Sequence, residues 1–304
     1  MTTAFVLSGG GSLGAVQVGM LQALTERGVR PDLLVGTSAG AINAGYLAGH
    51  GTGRAALETL AGLWAGLRRR DVFPLSPGRH LLALGGARES VFSSDGLRRL
   101  ISTHLPYRLL EDAAIPVHVV ATDLLSGEEV LLSTGDAVSA VLASTAIPGL
   151  IPAVRREALV LVDGGLADNA AISQAVALGA DRVFVLPTGV ACALTAPPSS
   201  PYAAAMQALS FLTQQRLLHD VTAYADLAEL HVLPPLCPLG VSAGDFRHAA
   251  ELVDRARRAT GSWLDDGGDR LAHPERFLTL HHHAHTPTKG GGHVQGVRMR
   301  EDQH

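Results

Sequence analysis

Short apolar runs alternate along most of the chain with stretches whose apolar residues recur at helical spacing. The apolar runs, which are bounded by turn residues, predict strands at AFVLS (4–8), DLLVG (32–36), IPVHVVATD (115–123), EEVLLS (128–133), ALVLVDGG (158–165), DRVFVLP (181–187) and ELHVL (229–233). Helical spacing or small-residue runs predict helices at 14–27, 39–49, 136–144, 173–178, 201–227 and 244–265. This alternating order predicts an α/β protein with a three-layer α/β/α architecture and a mostly parallel central sheet.

Two segments depart from this alternation. Residues 68–92 are rich in proline, glycine and arginine, and we interpret them as a loop or a mobile lid. Residues 271–304 contain HHHAH and TKGGGH and predict a disordered tail, which follows one domain over residues 1–270. The histidine spacing in this tail fits no zinc pattern, so no metal site is expected.

Composition and charge narrow the classes of protein. The 304 residues are 47% hydrophobic, which suffices for a large core, and the formal net charge of −4 offers no electrostatic basis for binding nucleic acid. Two cysteines do not make a disulfide framework. The N-terminal apolar run (4–7) is too short for a signal peptide, and no stretch is apolar enough to span a bilayer. The expected location is the cytoplasm, with peripheral contact at a membrane surface left open. The sequence does not indicate an oligomeric state.

The second predicted strand runs into GTSAG, which fits the G-x-S-x-G pattern of a nucleophile elbow with Ser38 at its centre. In such a turn Gly36 and Gly40 would let neighbouring backbone pass close. The N-terminus of the following helix would direct its N–H groups at the serine oxygen. A plain serine in a strand-to-helix turn is the alternative, and the placement between DLLV and a small-residue helix favours the elbow.

The first predicted strand is followed by the glycine loop GGGSLG, which contains Gly9, Gly10, Gly11 and Gly14. If the first two strands are neighbours, this loop lies beside Ser38. Its successive N–H groups would then form an anion-binding concavity that could serve as an oxyanion hole. A nucleotide loop is the competing interpretation. The loop lacks the lysine of a phosphate loop, and the second strand lacks the acidic residue of a dinucleotide fingerprint.

Asp163 follows the strand ALVLV and precedes Gly164 and Gly165. A carboxylate at the carboxyl end of a buried strand sits where α/β active sites form, and it could accept the proton of Ser38 directly. The pKa of a free aspartate is about 3.9, and burial would raise it toward the value that a general base needs. The alternative is an aspartate that only caps a turn.

A Ser-His-Asp triad is poorly supported by the remaining residues. An α/β-hydrolase has several strands before its elbow, whereas only one strand precedes this one, and it needs a histidine after the acid. The candidates His219, His231 and His248 lie in helical or strand-like settings. Between the two proposed catalytic segments, ASTAIPGLIPAV (143–154) predicts a rigid apolar wall.

Taken together, these motifs resemble the patatin-like phospholipase family. GGGSLG, GTSAG, ASTAIPGLIP, DGG and NAAISQAVALGAD occur in the family's order within residues 4–187. The resemblance implies a Ser–Asp dyad, here Ser38 and Asp163, an oxyanion hole from the glycine loop, and hydrolysis of lipid acyl esters. It implies no cofactor and no metal ion, and it makes a lipid or acyl ester the expected partner.

One position departs from the family pattern. The family's glycine loop usually carries arginine or lysine immediately before its last glycine, where this chain has Leu13. The backbone donors survive this change, but a cation that could contact an oxyanion or a phosphate headgroup does not. A non-catalytic lipid- or acyl-binding module on the same scaffold therefore stays open beside the hydrolase, as does a nucleotide-binding α/β protein.

Overall fold

The computed structural model describes residues 1–74, 89–194, 196–198, 201–270, 275 and 278–279. Eight strands form one sheet: β1 (Thr3–Leu7), β2 (Leu33–Thr37), β3 (Val117–Asp123), β4 (Glu129–Leu132), β5 (Val154–Arg156), β6 (Leu159–Asp163), β7 (Arg182–Leu186) and β8 (Glu229–Val232). Nine α-helices accompany them within these residues: α1 (Gly14–Glu26), α2 (Ala39–His50), α3 (Arg54–Gly66), α4 (Arg69–Val72), α5 (Asp95–His104), α6 (Ala137–Ser144), α7 (Ile172–Ala177), α8 (Pro201–Tyr224) and α9 (Ala249–Asp265).

Hydrogen-bonded neighbours in the sheet follow the path β5-β6-β3-β2-β1-β7-β8, and β4 also pairs with β3. Strands β3, β2, β1, β7 and β8 are parallel to one another, whereas β4 and β6 are antiparallel to β3, and β5 is antiparallel to β6. The mostly parallel sheet predicted from the sequence is therefore confirmed, with antiparallel pairings among β3, β4, β5 and β6. The predicted neighbourhood of the first two strands is also confirmed, because Leu7 pairs with Gly36 in register.

Strands β2 and β6 lie one after the other along the same edge of β3. Strand β2 pairs with residues 117–120 of β3, and β6 pairs with residues 121–123. Strand β4 covers residues 119–122 and overlaps both, so it must occupy the opposite edge of β3. Because β6 is antiparallel to β3, its carboxyl end meets the carboxyl end of β2 head to head. This arrangement brings Asp163 to the residue that follows Thr37.

Alternating side chains of the central strands enter two cores. Phe5 and Leu7 of β1 pack with residues of α1, α2, α3, α5, α6 and α9 on one face of the sheet. Ala4 and Val6 pack with residues of α7 and α8 on the other face. Helices therefore cover both faces, which gives the three layers that the alternating pattern predicts.

The predicted loop or lid and the predicted tail are only partly described by the structure. Residues 75–88 of the predicted loop or lid, and most of the predicted tail, lie outside the described residues. Val72 and Phe73 of the former segment are buried in the first core. Leu278, which the division at residue 270 assigns to the tail, is buried against α8, and its carbonyl accepts a hydrogen bond from Gln214. Among the described helices, none combines the length and apolar character needed to cross a bilayer.

Candidate active site

Ser38 stands in a strained turn between β2 and α2. Its φ of +53° is one that L-residues other than glycine rarely adopt. Such a conformation costs on the order of 1–3 kcal/mol and persists only where neighbouring groups hold it. The Ser38 N–H donates to Ser144 Oγ at 2.8 Å, so the serine of the ASTAIPGLIPAV motif helps to hold the backbone of this turn.

Gly36 and Gly40 leave the room that this turn requires. A Cβ on Gly40 would come within 2.0 Å of the Leu7 carbonyl oxygen, and one on Gly36 would come within 2.7 Å of Ala41 Cα. Backbone atoms cannot give way as a flexible side chain can. The turn therefore depends on glycine at both positions flanking Ser38.

Ser38 and Asp163 are in direct contact. The Ser38 hydroxyl donates to Asp163 Oδ2 at 2.6 Å, and the Gly165 N–H donates to Asp163 Oδ1 at 2.9 Å. Asp163 is buried, and this desolvation raises its pKa to about 6, although both hydrogen bonds act in the opposite direction. Gly164 allows the close approach to β3, because a Cβ there would lie 2.2 Å from the Val120 carbonyl oxygen.

Histidine takes no part in this contact. Within the described part of the chain, no histidine hydrogen-bonds to Ser38 or Asp163. His231 instead contacts the Asp269 carbonyl and Glu229, and His248 contacts Asp245 and Glu251. The arrangement is a serine and a carboxylate without an intervening imidazole.

The glycine loop lies against Ser38, but its four glycines differ in what their N–H groups do. The Gly9 N–H donates to the Asn169 carbonyl at 3.2 Å, and the Gly14 N–H donates to carbonyls within the loop. In the described residues, the N–H groups of Gly10 and Gly11 have no protein acceptor. These two amides are the ones that remain open to an anion.

A buried chain of amide side chains supports the glycine loop from below. The Gln17 amide nitrogen donates to the carbonyls of Ser8 and Leu186, and Gln17 Oε1 accepts from Asn43. The Asn43 nitrogen also donates to the Gly14 carbonyl, and Asn43 Oδ1 accepts from the Trp64 indole at 2.8 Å. Every donor of both amides is used, which is what full burial requires. This network was not predicted from the sequence, although two polar residues at buried positions of apolar helices are its signal.

Two cavities meet at Ser38. The first is almost entirely apolar and lies among α2 to α6. Its lining includes Ile42, Tyr46, Leu60, Trp64, Leu97, Leu100 and Ile101. The second, which we call the open cavity, is mixed in polarity and is bordered by the glycine loop, Asp163, Asn169 and one face of α8; both cavities reach the solvent. Phe73 and Ile147 line both cavities and separate them beside the serine.

Leu13, the departure from the family pattern, is buried in the first core and also borders the open cavity. It presents an apolar side chain at this position of the loop. Neither the backbone donors of Gly10 and Gly11 nor the contact between Ser38 and Asp163 involves its side chain.

Comparison with known proteins agrees with the motifs. The family model described as patatin-like phospholipase matches residues 5–176. An uncharacterized NTE family protein of Mycobacterium tuberculosis is 28% identical over 226 residues, which cover 74% of this chain and 60% of that protein. The lysophospholipase NTE1 of Mycosarcoma maydis is 30% identical over 194 residues, which cover 62% of this chain and 10% of that protein. The chain thus spans only part of the relatives that it matches.

The similarity of this chain to solved structures is low. The crystal structure of VipD from Legionella pneumophila aligns with a TM-score of 0.41 and 17% sequence identity. That alignment covers 87% of this chain and 67% of the VipD chain.

Proposed function

Because the chain belongs to the patatin-like phospholipase family, we propose that it is a serine acyl hydrolase that cleaves acyl esters of lipids. The observation that carries the proposal is the hydrogen bond of 2.6 Å from Ser38 to Asp163, a buried carboxylate whose pKa is raised to about 6. A carboxylate with this pKa is ionised at neutral pH, yet it is basic enough to take a proton from a serine that attacks.

In the proposed mechanism, the Ser38 oxygen attacks the acyl carbonyl carbon while its proton moves to Asp163 Oδ2. The carbonyl oxygen becomes an oxyanion, and the amides of Gly10 and Gly11 are the proposed donors to it. When the intermediate collapses, the bond to the leaving oxygen breaks and that oxygen takes the proton from Asp163. Water then gives a proton to Asp163 and attacks the acyl-enzyme, and Ser38 regains its proton as it leaves.

The proposed oxyanion hole is smaller than the glycine set predicted from the sequence. Gly9, Gly10, Gly11 and Gly14 all belong to the loop, but the N–H groups of Gly9 and Gly14 already have acceptors. Gly9 contributes space instead, because a Cβ there would lie 3.0 Å from Ser38 Cβ. A side chain at that point would obstruct the carbonyl that Ser38 attacks.

A fluorophosphonate probe tests the proposal without knowledge of the natural substrate. We expect one adduct, on Ser38 by peptide mapping, together with hydrolysis of a p-nitrophenyl ester of a fatty acid. A folded protein that binds fatty acid but neither reacts with the probe nor hydrolyses the ester would support the non-catalytic acyl-binding module instead.

The apolar cavity beside Ser38 is the proposed site of the acyl chain. Its walls are contributed by side chains of five helices and offer no charge next to the serine. Each methylene group buried there would contribute about 0.8 kcal/mol to binding. The wild-type protein should therefore prefer long-chain over short-chain esters.

Filling this cavity should reverse that preference. Leu100→Trp places an indole in the cavity, so that two or three methylene groups of a long acyl chain no longer fit there. We expect this variant to lower kcat/KM for a dodecanoyl ester by about 10- to 100-fold. Hydrolysis of an acetyl ester should change little. Leu124→Trp, at an exposed position in the β3–β4 turn, is the matched control. Equal losses on both esters would argue against this cavity as the acyl site.

Contact with a lipid surface is the second part of the proposal. Residues 201–215 of α8 carry no charged side chain, and Phe211 and Leu212 are exposed by 41% and 69%. Leu166, which borders the open cavity, is exposed by 45%. The same helix forms one wall of that cavity, so a lipid surface on these residues would lie beside the entrance to Ser38.

Removing this apolar surface should separate activity on vesicles from activity in solution. We expect the double variant Phe211→Ser, Leu212→Ser to bind phosphatidylcholine vesicles about 10-fold more weakly in co-sedimentation, and to lose a similar factor in hydrolysing a vesicle-borne ester. A soluble butyryl ester should be hydrolysed normally. Leu227→Ser, at another exposed leucine beyond the end of α8, is the control. Unchanged vesicle binding of the double variant would refute the contact.

A further inference from the structure

Asn169 lies in the turn between β6 and α7, and this turn is clamped to the active-site strands. The Thr37 hydroxyl donates to the Asp168 carbonyl, and the Gly9 N–H donates to the Asn169 carbonyl. The carboxylate of Asp168, which is buried, accepts the Ala170 N–H at 3.0 Å. The backbone of Asn169 is thus fixed to the end of β2 and to the glycine loop.

The side chain of Asn169 enters the space that two glycines leave empty. A Cβ on Gly9 would lie 2.5 Å from Asn169 Oδ1, and one on Gly165 would lie 2.9 Å from the same oxygen. The amide oxygen therefore packs between these two residues. Asn169 also lines the open cavity, together with Ser38 and Asp163.

The Asn169 amide has no hydrogen-bond partner among the described residues. Gln17 and Asn43, the buried amides close to the same loop, use all of their donors on protein acceptors. Those two amides hold structure together. Asn169 is partly exposed and lines a cavity that contains the nucleophile and the proposed base, so its amide is free to hydrogen-bond to a ligand there.

The leaving group must come close to Asn169. In the proposed mechanism the leaving oxygen takes its proton from Asp163, so it has to reach that carboxyl. The position that a Cβ on Gly165 would fill is 3.1 Å from Asp163 Oδ1 and 2.9 Å from Asn169 Oδ1. The two side chains therefore border the same small space, on the Asp163 side of the serine. Oδ1, an acceptor, is the amide atom that faces this space in the structure. Because no hydrogen bond to the described residues holds the amide, a half-turn about χ2 exchanges Oδ1 for the N–H donors.

We infer that Asn169 is a further catalytic residue, whose amide N–H donates a hydrogen bond to the leaving oxygen of the ester; this inference rests on the proposed function. As the bond between the acyl carbon and this oxygen breaks, its electron pair stays on the oxygen. The Asn169 hydrogen bond stabilises that developing charge until the proton arrives from Asp163. The poorer the leaving group, the larger this contribution.

Esters that share an acyl chain but differ in leaving group test the inference. We compare an ethyl ester, whose leaving oxygen is strongly basic, with a p-nitrophenyl ester, whose leaving oxygen is weakly basic. Asn169→Ala is expected to lower kcat for the ethyl ester by about 10- to 100-fold and for the p-nitrophenyl ester only slightly. A purely structural role would reduce both rates alike, and that result would overturn the inference.

Asn169→Asp adds a second readout. The variant is isosteric, but it cannot donate once ionised, and its charge beside Asp163 should shift the acid limb of the pH profile upward. Gln215→Ala, at an exposed position of α8 that lines neither cavity, is the control. A wild-type protein that hydrolyses neither ester would contradict the proposed function itself. Wild-type activity with equal losses in Asn169→Ala would contradict only the role of Asn169.

Discussion

Replacing Ser38 by alanine is expected to abolish ester hydrolysis, with a loss in kcat on the order of 10⁴- to 10⁶-fold, because the variant has no oxygen to form the acyl-enzyme. The substitution keeps Cβ, and the Ser38 N–H that donates to Ser144 is also retained. The fold and the two cavities should therefore survive. The measurement is hydrolysis of a p-nitrophenyl fatty ester, with the melting temperature recorded on the same preparation.

Ser38→Gly is the informative companion to this variant. Glycine also lacks the nucleophile, but it adopts a φ of +53° without the strain that alanine would keep. Ser38→Gly should thus be equally inactive and about 1 kcal/mol more stable than Ser38→Ala. Ester hydrolysis that persists at the wild-type rate in either variant would mean that another residue is the nucleophile. Equal stability of the two variants would mean that the turn is not strained.

The pattern of apolar residues predicts most of the sheet, because strands buried on both faces are continuous apolar runs. Strands β3, β4, β6, β7 and β8 lie within the runs that predict them, and β1 and β2 are each shifted by one residue from theirs. Helices α3, α4 and α5 were not predicted, and α4 lies in the segment 68–92 that was interpreted as a loop or a lid. For α3 a signal was present, because Leu57, Leu60 and Trp64 recur at helical spacing. The three residues of β5 are too few for any period to show.

Sequence spacing cannot show how Asp163 reaches Ser38. We expected a carboxylate at the carboxyl end of a buried strand, where α/β active sites form. In the structure β6 is antiparallel and continues the edge of β3 that β2 leaves free. The residues that meet are the expected ones, yet their approach depends on a pairing between strands that no local pattern encodes.

The residues that hold the site in place could not be predicted from the sequence for a related reason. Ser144, Gln17 and Asn43 act through hydrogen bonds to backbone groups far away in sequence. A polar residue in an apolar helix indicates a buried partner, but not which one. The same holds for the glycine loop, where only tertiary contacts distinguish Gly10 and Gly11 from Gly9 and Gly14.

Asp163→Asn is expected to lower kcat by on the order of 10³- to 10⁴-fold while leaving the protein folded. Asparagine has the size of aspartate and can still hydrogen-bond to Ser38 and Gly165, but it cannot take the serine proton. The loss should be smaller than that of Ser38→Ala, because a weak unassisted attack by the serine remains. Labelling by a fluorophosphonate probe should slow by a comparable factor.

The pH dependence identifies which carboxyl is the base. Burial raises the pKa of Asp163 to about 6, and only the ionised form accepts a proton. The kcat of the wild-type protein should therefore fall about tenfold per pH unit below pH 6 and level off above it. Asp168 is a second buried carboxyl, whose pKa is raised to about 7 by burial and by the charges of Glu129 and Asp220.

Asp168→Asn is consequently the matched control for Asp163→Asn. Asp168 bonds to Ala170 and Ser173 and makes no hydrogen bond to Ser38, so the inflexion near pH 6 should persist in Asp168→Asn. It should vanish from the residual activity of Asp163→Asn, because the group that titrates is gone. An inflexion near pH 7 in the wild-type protein that disappears in Asp168→Asn would assign the base to Asp168. The head-to-head meeting of β2 and β6 would then position the serine without activating it.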